Sequence, residues 1–158
     1  MYASLSGSDF DGTDAGFGLD GQVRFPLASS FTLGLGGQFT SHGLQGLSDN
    51  LKVLGIFAEP RLMFATPGSL KPYLAARGGY LHESVSSGGS SASASGWYAG
   101  GGGGLLIAVG PMVSVDLGAL FSTASFGDFS VNGTSVANTS TSGTVLSVRG
   151  GILVQLGK

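Results

Sequence analysis

The stretch AGFGLDGQVRF, residues 15–25, decides the fold. Ala15, Phe17, Leu19, Gly21, Val23 and Phe25 fall on one face of an extended chain, and Gly16, Gly18, Asp20, Gln22 and Arg24 on the other. A strict period of two is the signature of a β-strand with two chemically different faces. Here the polar face carries an acid and an arginine among glycines, while the other is aromatic and aliphatic.

The same pattern recurs in both directions along the chain. Phe31, Leu33, Leu35 and Phe39 alternate with Thr32, Gly34, Gly36, Gln38 and Thr40, and Pro26 to Ser29 reads as the short turn before them. Leu54, Ile56, Ala58, Leu62 and Phe64 then oppose Gly55, Phe57, Glu59, Arg61 and Met63. Pro60 interrupts that apolar face, and a proline inside a paired strand predicts a bulge. After the turn TPGSLK, Leu74, Ala76, Gly78 and Tyr80 oppose Tyr73, Arg77 and Gly79. Trp97 to Val109 and Val113 to Phe121 follow, joined at Gly110-Pro111, with Ser114, Asp116 and Gly118 on the polar side of the second. The last strand sets Leu146, Val148, Ile152, Val154 and Leu156 against Ser147, Arg149 and Gln155. Residues 2–8 supply an eighth strand, with Ala3 and Leu5 facing out and DFDGTD as the hairpin loop that follows.

Composition says what this alternating sheet is built for. Only 10% of the 158 residues are charged, mean hydropathy is +0.33, and 30 residues are glycine. Soluble domains carry about a quarter charged residues, so something other than water must accept much of the surface. No window approaches the ~20 apolar residues of a membrane helix. A closed antiparallel barrel satisfies every backbone group between strands and hides apolarity in alternation. The expected fold is therefore all-β, an eight-stranded antiparallel up-and-down transmembrane β-barrel forming a single domain over 1–158.

The charges point the same way. Asp20, Arg24, Glu59, Arg61, Arg77, Asp116 and Arg149 all lie opposite the apolar stripe. Arginine on the lipid face at mid-bilayer costs roughly 2–4 kcal/mol, so the charged face must line the lumen. There the arginines and acids are expected to pair, because an isolated buried charge is far more costly than a paired one. Folding about residue 68 sets Glu59 across from Arg77, and Asp116 is expected to face inward glycines of the preceding strand. Phe25, Phe31 and Phe64 near the short turns, with Tyr80 and Trp97 near the long loops, form two aromatic girdles.

Short turns alternate with longer loops near 9–13, 42–49, 84–94 and 127–142, an asymmetry that places both termini in the periplasm. Asp9, Asp11, Asp14, Asp49, Glu83 and Asp128 fall in or beside those loops, and Lys52 breaks that segregation of charge. The stretch from Ser84 to Gly96 reads as flexible and exposed. No cysteine is present, which excludes disulfides and thiolate metal sites. The start MYASLSGSDF has neither a basic segment nor an apolar core, so Met1 is expected to begin a mature or recombinant form. A net charge of −2 gives no reason to expect nucleic acid.

Three motifs carry weaker chemistry. Asp9-Phe10-Asp11-Gly12-Thr13-Asp14 offers oxygen ligands without the later bidentate glutamate of a calcium loop, and reads as a polar turn. His82 and Ser84 share a strand face, a pattern similar to that of the lipid A deacylase family, but no acidic partner follows at the matching interval. The run Gly100–Gly104 lacks the Lys-Ser/Thr of a phosphate loop and reads as a closely packed strand. His42 reads as a solvated loop residue.

With the strands laid out, the chain resembles the OmpA-like small outer-membrane barrels. The resemblance rests on the eight-strand meander, on KPYLAARGGY at 71–80 and on SVRGGILVQLG at 147–157. It departs from that pattern in ending Leu156-Gly157-Lys158, where such barrels end in an aromatic residue. The resemblance implies a bacterial outer-membrane location, with a bilayer containing lipopolysaccharide as the surrounding partner. The expected protein is a monomeric, non-enzymatic barrel without metal or cofactor. Its lumen is closed by ion pairs, its external loops are acidic, and the sequence does not specify an external partner. The alternatives are a narrow ion or small-solute pore, a lipid-modifying enzyme, and a soluble lipocalin-like carrier with the apolar faces inside.

Overall fold

The computed structural model describes residues 1–6, 15–43, 50–87, 90–128, 130–131, 134–135 and 141–155. The elements are β1 (Tyr2–Ser6), β2 (Gly16–Ala28), β3 (Phe31–Gly43), β4 (Asn50–Met63), β5 (Leu70–Ser87), β6 (Ser90–Ala108), β7 (Val113–Phe126), two short pieces β8 (Ser130–Val131) and β9 (Thr134–Ser135), and β10 (Thr141–Val154). Each long strand pairs antiparallel with its sequence neighbour, β5 joins β6, and β1 bridges β2 and β10, so eight strands form one ring. The expected all-β barrel is the observed fold, with β8 and β9 added on β6 at the loop end.

The alternation read from the sequence sets the faces of the wall. Phe17, Leu19, Val23, Leu35, Ile56, Leu74, Phe121 and Ile152 are exposed on the outside, while Glu59, Arg61, Arg77, Asp116 and Arg149 are buried inside. This is inside-out relative to a soluble barrel, whose core holds the aliphatics.

At the loop end the pattern reverses. Above the stacked pair Tyr80–Trp97, whose ring centroids are 5.0 Å apart, Lys52 and His82 point outward, with Ser93 and Ser95 half-exposed beside them. Val53, Leu81, Ala94, Ala124 and Phe126 turn inward and pack into a buried cluster with Phe57 and Tyr98. Three expectations are corrected at this end of the barrel. Ala3 faces the lumen at 3% exposure, not the outside, and its neighbour Tyr2 is outward; the side chain of Leu5 lies outside the described residues. Glu83 is not a loop acid but an inward, buried residue of β5, and His42 is likewise buried, its Nε2 3.2 Å from Thr40 Oγ1.

Several connections also differ from the reading. The described residues of 84–94 are paired strand, not loop: Ser84, Val85, Ser86 and Ser87 pair with Ser93, Ala92, Ser91 and Ser90. A paired ladder of small residues satisfies its backbone as well as a loop does, and composition alone does not separate the two. The β2–β3 turn sits at Ser29–Ser30, because β2 continues through Pro26 to Ala28 with a register shift between them. No bulge forms at Pro60, which holds register with Leu33 on β3; the β4–β5 ladder only lapses between Ala58↔Gly78 and Arg61↔Ala75. The loops holding Asp9–Asp14 and Asp49 lie outside the described residues.

Inward glycines set how closely β6 and β7 approach. A Cβ built at Gly100, Gly102 or Gly104 would collide with the carbonyl oxygens of Phe121, Ala119 and Leu117 respectively, whereas one at outward Gly101 meets nothing closer than the Ala75 oxygen at 3.6 Å. Gly102→Val is therefore expected to destabilise by about 1–3 kcal/mol, as overpacking does, and Gly101→Ala to leave the urea midpoint nearly unchanged. Equal midpoints for the two variants would show that the close approach is not limiting.

Candidate functional site

The chemistry of the molecule is concentrated in a charged layer across the middle of the lumen. Its centre is Glu59 on β4, fully buried. One carboxylate oxygen, Oε1, accepts from Arg61 Nε at 2.7 Å, Arg149 Nη2 at 2.9 Å and Arg24 Nη2. The other, Oε2, accepts from Arg77 Nε at 2.6 Å and Arg149 Nη1 at 2.6 Å. Four guanidiniums from β2, β4, β5 and β10 therefore converge on one carboxylate, spanning the lumen from opposite walls.

Two further acids extend the layer. Asp20 on β2 lies 2.9 Å from Arg77 Nη2 and 3.8 Å from Arg149 Nη1. Asp116 on β7 lies 2.7 Å from Arg61 Nη2 and accepts from Tyr73 Oη at 2.7 Å. Its register partner on β6 is Leu106, with Gly151 on β10; the expectation of inward glycines on the preceding strand is corrected accordingly. Gln22 accepts from Arg24 at 2.8 Å, and Gln38 accepts from both Arg77 and Tyr98 at 3.1 Å. Arg61 stacks over the Tyr73 ring at 4.0 Å and Arg77 over Phe57 at 3.8 Å, contacts that favour a desolvated cation.

The structure thus brings together all seven charged residues singled out in the sequence. The tyrosines, glutamines and Phe57 that complete their shells are additions. Polar residues on the charged face were the available signal for Gln22 and Gln38, since only a lumen-facing strand position requires them.

The aromatic positions fall on the outer surface. Phe25, Phe31 and Phe64 are partly exposed at the turn end, and Tyr80 and Trp97 face each other across β5 and β6 toward the loop end. Tyr2 and Phe17 add a second edge-to-face pair at 5.6 Å, which the weak alternation of β1 had concealed.

Above the charged layer the lumen holds a cavity of about 40 Å³, bordered by Gln38, Thr40, His42, Glu83 and the inward apolar cluster. At about 10–15 Å³ per water, this is room for roughly three waters. No group of three or more His, Cys, Asp or Glu residues suited to a metal occurs among the described residues. Among the described residues, no acidic side chain joins the His82–Ser84 pair on its face of the wall. His82 Nδ1 is 2.9 Å from Ser95 Oγ on the outer face, and the adjacent carboxylate of Glu83 points to the opposite side of the wall.

Comparison with known proteins finds no matching protein-family model and no matching curated protein. Among solved structures, the crystal structure of neisserial surface protein A (NspA) superposes with a TM-score of 0.78 at 24% identity, covering 98% of this chain and 92% of that one. At that identity the likeness concerns the fold: a small β-barrel of the same architecture.

Proposed function

We propose that this chain is an integral outer-membrane β-barrel that acts as a non-enzymatic surface-interaction protein, with a lumen closed to solutes. The observation that carries the reading is a fully buried Glu59 held by four arginines inside a wall whose outer band is aliphatic and aromatic. A wall of this polarity is stable only where hydrocarbon surrounds it. Its apolar band runs between the phenylalanines at the turn end and the Tyr80–Trp97 pair, and the reversal of polarity above that pair marks where the wall leaves the bilayer for water. Lys52 then ceases to be an anomaly, because it projects outward at that boundary.

Two plugs in series support a closed lumen: the ion-paired layer, and the Val53–Phe57–Leu81–Phe126 cluster above it. The cavity of about 40 Å³ beside that cluster has room for only roughly three waters. Function then falls to the long loops at the far end from the short turns, where Asp128 is exposed and the sequence places Asp9, Asp11, Asp14 and Asp49. In this reading the barrel is a monomer in a lipopolysaccharide-containing bilayer, its short turns facing the periplasm and its acidic loops offered to an external partner. The likeness in fold to a neisserial surface protein supports the surface reading.

The deciding measurement is conductance in planar bilayers. The refolded protein is expected to insert without resolved current steps. Reproducible steps that change amplitude in Arg77→Ala would replace this reading with that of a narrow pore.

A further inference from the structure

At the loop end of the lumen, the inward apolar cluster surrounds one carboxylate. Glu83 lies on β5 three residues beyond Tyr80, outside the apolar band of the wall, and faces inward at 3% exposure. Its register neighbours are Val53 on β4 and Ala94 on β6, both apolar and buried. The preceding inward residue along β5 is Leu81. Glu59, deeper in the lumen, gathers four guanidiniums, whereas Glu83 has no ion pair or hydrogen bond among the described residues. Burial alone pushes its carboxyl up to about 7, with no neighbouring charge offsetting the loss of water. Leucine or valine would serve the packing without that cost.

The same carboxylate borders the cavity of about 40 Å³. The other ionisable groups on the cavity wall are engaged. Arg77 binds Asp20, Glu59 and Gln38, and Tyr98 donates to Gln38. His42 Nε2 lies 3.2 Å from Thr40 Oγ1, and the Met1 amine donates to the Gly18 carbonyl. Among the described residues, Glu83 is thus the ionisable group on this wall that the protein leaves without a partner.

We propose that this cavity binds a small primary alkylammonium ion, its ammonium on the Glu83 carboxylate and its alkyl stem against Leu81 and Phe126. Each requirement follows from the wall. A primary ammonium carries N–H donors and no acceptor, which suits a carboxylate that nothing else donates to. The buried hydroxyls of Thr40 and Ser122 border the same space as further acceptors. A divalent metal ion needs about six oxygen ligands, which apolar walls do not supply. Room for roughly three waters sets the ligand at about three non-hydrogen atoms, the size of ethylammonium. Pairing favours the charged form of Glu83 in its apolar surroundings, so the bound cation does for this carboxylate what the arginines do for Glu59.

Such a site goes beyond the surface-protein reading and does not rest on it. Current steps in a planar bilayer would end the closed-lumen reading and leave the chemistry of Glu83 unchanged, and failure of amine binding would leave the lumen closed. The test titrates the full chain in detergent micelles with ethylammonium chloride or with ethanol, following the Glu83 carboxyl resonance by NMR. Ethylammonium is expected to saturate, and to bind about tenfold or more tighter at about pH 8.5 than at about pH 5.5, because the ligand stays charged while the carboxyl protonates. Ethanol, of the same size and uncharged, is expected not to saturate. In Glu83→Gln, followed by the backbone resonances of Val53 and Ala94, both the binding and its pH dependence are expected to disappear. Should that variant fail to fold, the comparison of the two ligands at the two pH values in the unchanged chain decides alone. Equal binding of both ligands, indicating an apolar void, would overturn the proposal, as would saturation by neither, indicating a space for water only. So would a pH dependence that persists in Glu83→Gln, since it would belong to His42.

Discussion

Replacing Glu59 by glutamine is expected to lower the stability of the barrel by about 3–5 kcal/mol, the range found when one partner of a buried ion pair is removed. The substitution preserves shape, so the loss is electrostatic. In the present layer Arg24, Arg61, Arg77 and Arg149 stand against Asp20, Glu59 and Asp116, a net of +1 from four positive and three negative groups. Glu59→Gln leaves four against two, a net of +2, with the carboxylate shared by all four guanidiniums gone. Asp20 and Asp116 sit to either side and do not replace it, because neither is shown in contact with Arg24. Removing one cation as well, in Glu59→Gln/Arg149→Gln, returns the layer to +1 and is expected to recover part of the loss. The sole tryptophan, Trp97, lies exposed on the outer wall and reports unfolding directly, so urea titrations in lipid vesicles followed by its fluorescence measure both variants. A double variant less stable than Glu59→Gln would show that Arg149 stabilises the barrel by packing, not through the shared carboxylate.

How much of this was legible beforehand depends on the contrast between the two faces of each strand. In β2, arginine and aspartate alternate with phenylalanine and leucine, and the orientation of every side chain follows once hydrocarbon is placed outside. The convergence of arginines on Glu59 followed partly. The turn at Gly68 fixes Glu59 against Arg77 by counting, but the arrival of Arg24 and Arg149 from the far wall depends on closure of the ring, which no local pattern encodes. Most of the misread positions share one physical cause. Glu83 and His42 lie toward the loop end, where the inward cluster is apolar and the outward residues polar, so the rule relating polarity to direction changes sign; Ala3 was misplaced by the weak alternation of β1. Read with that sign, the run Val53, Leu81, Ala94 and Phe126 identifies its own inward face, and Lys52 and His82 identify the outward one. The height of the sign change is a three-dimensional property set by the aromatic pair on β5 and β6. The paired serine ladder above it was hidden because its small side chains have too little contrast to display a period.

That change of sign leads to the second large effect. Leu35→Arg is expected to destabilise the barrel in vesicles by roughly 2–4 kcal/mol, the penalty for arginine at mid-bilayer depth on the lipid face of a barrel. Leu35 stands outward on β3 between Val23 and Ala58, midway between Phe31 and Phe39, and is 48% exposed. Lys52 already presents a cation outward on the adjacent strand β4, where it pairs in register with Ser41 and Ser84. Lys52→Leu is therefore expected to shift stability by no more than about 0.5 kcal/mol, as ordinary surface changes do. The contrast is a property of depth, since both positions are exposed and both lie on the same outer surface. In a soluble barrel Leu35→Arg would remove an exposed leucine and be nearly neutral, so the two readings of the wall predict opposite results for one substitution. Equilibrium unfolding in vesicles decides between them. A neutral Leu35→Arg would mean that this surface does not meet hydrocarbon, and the membrane assignment would fall with it.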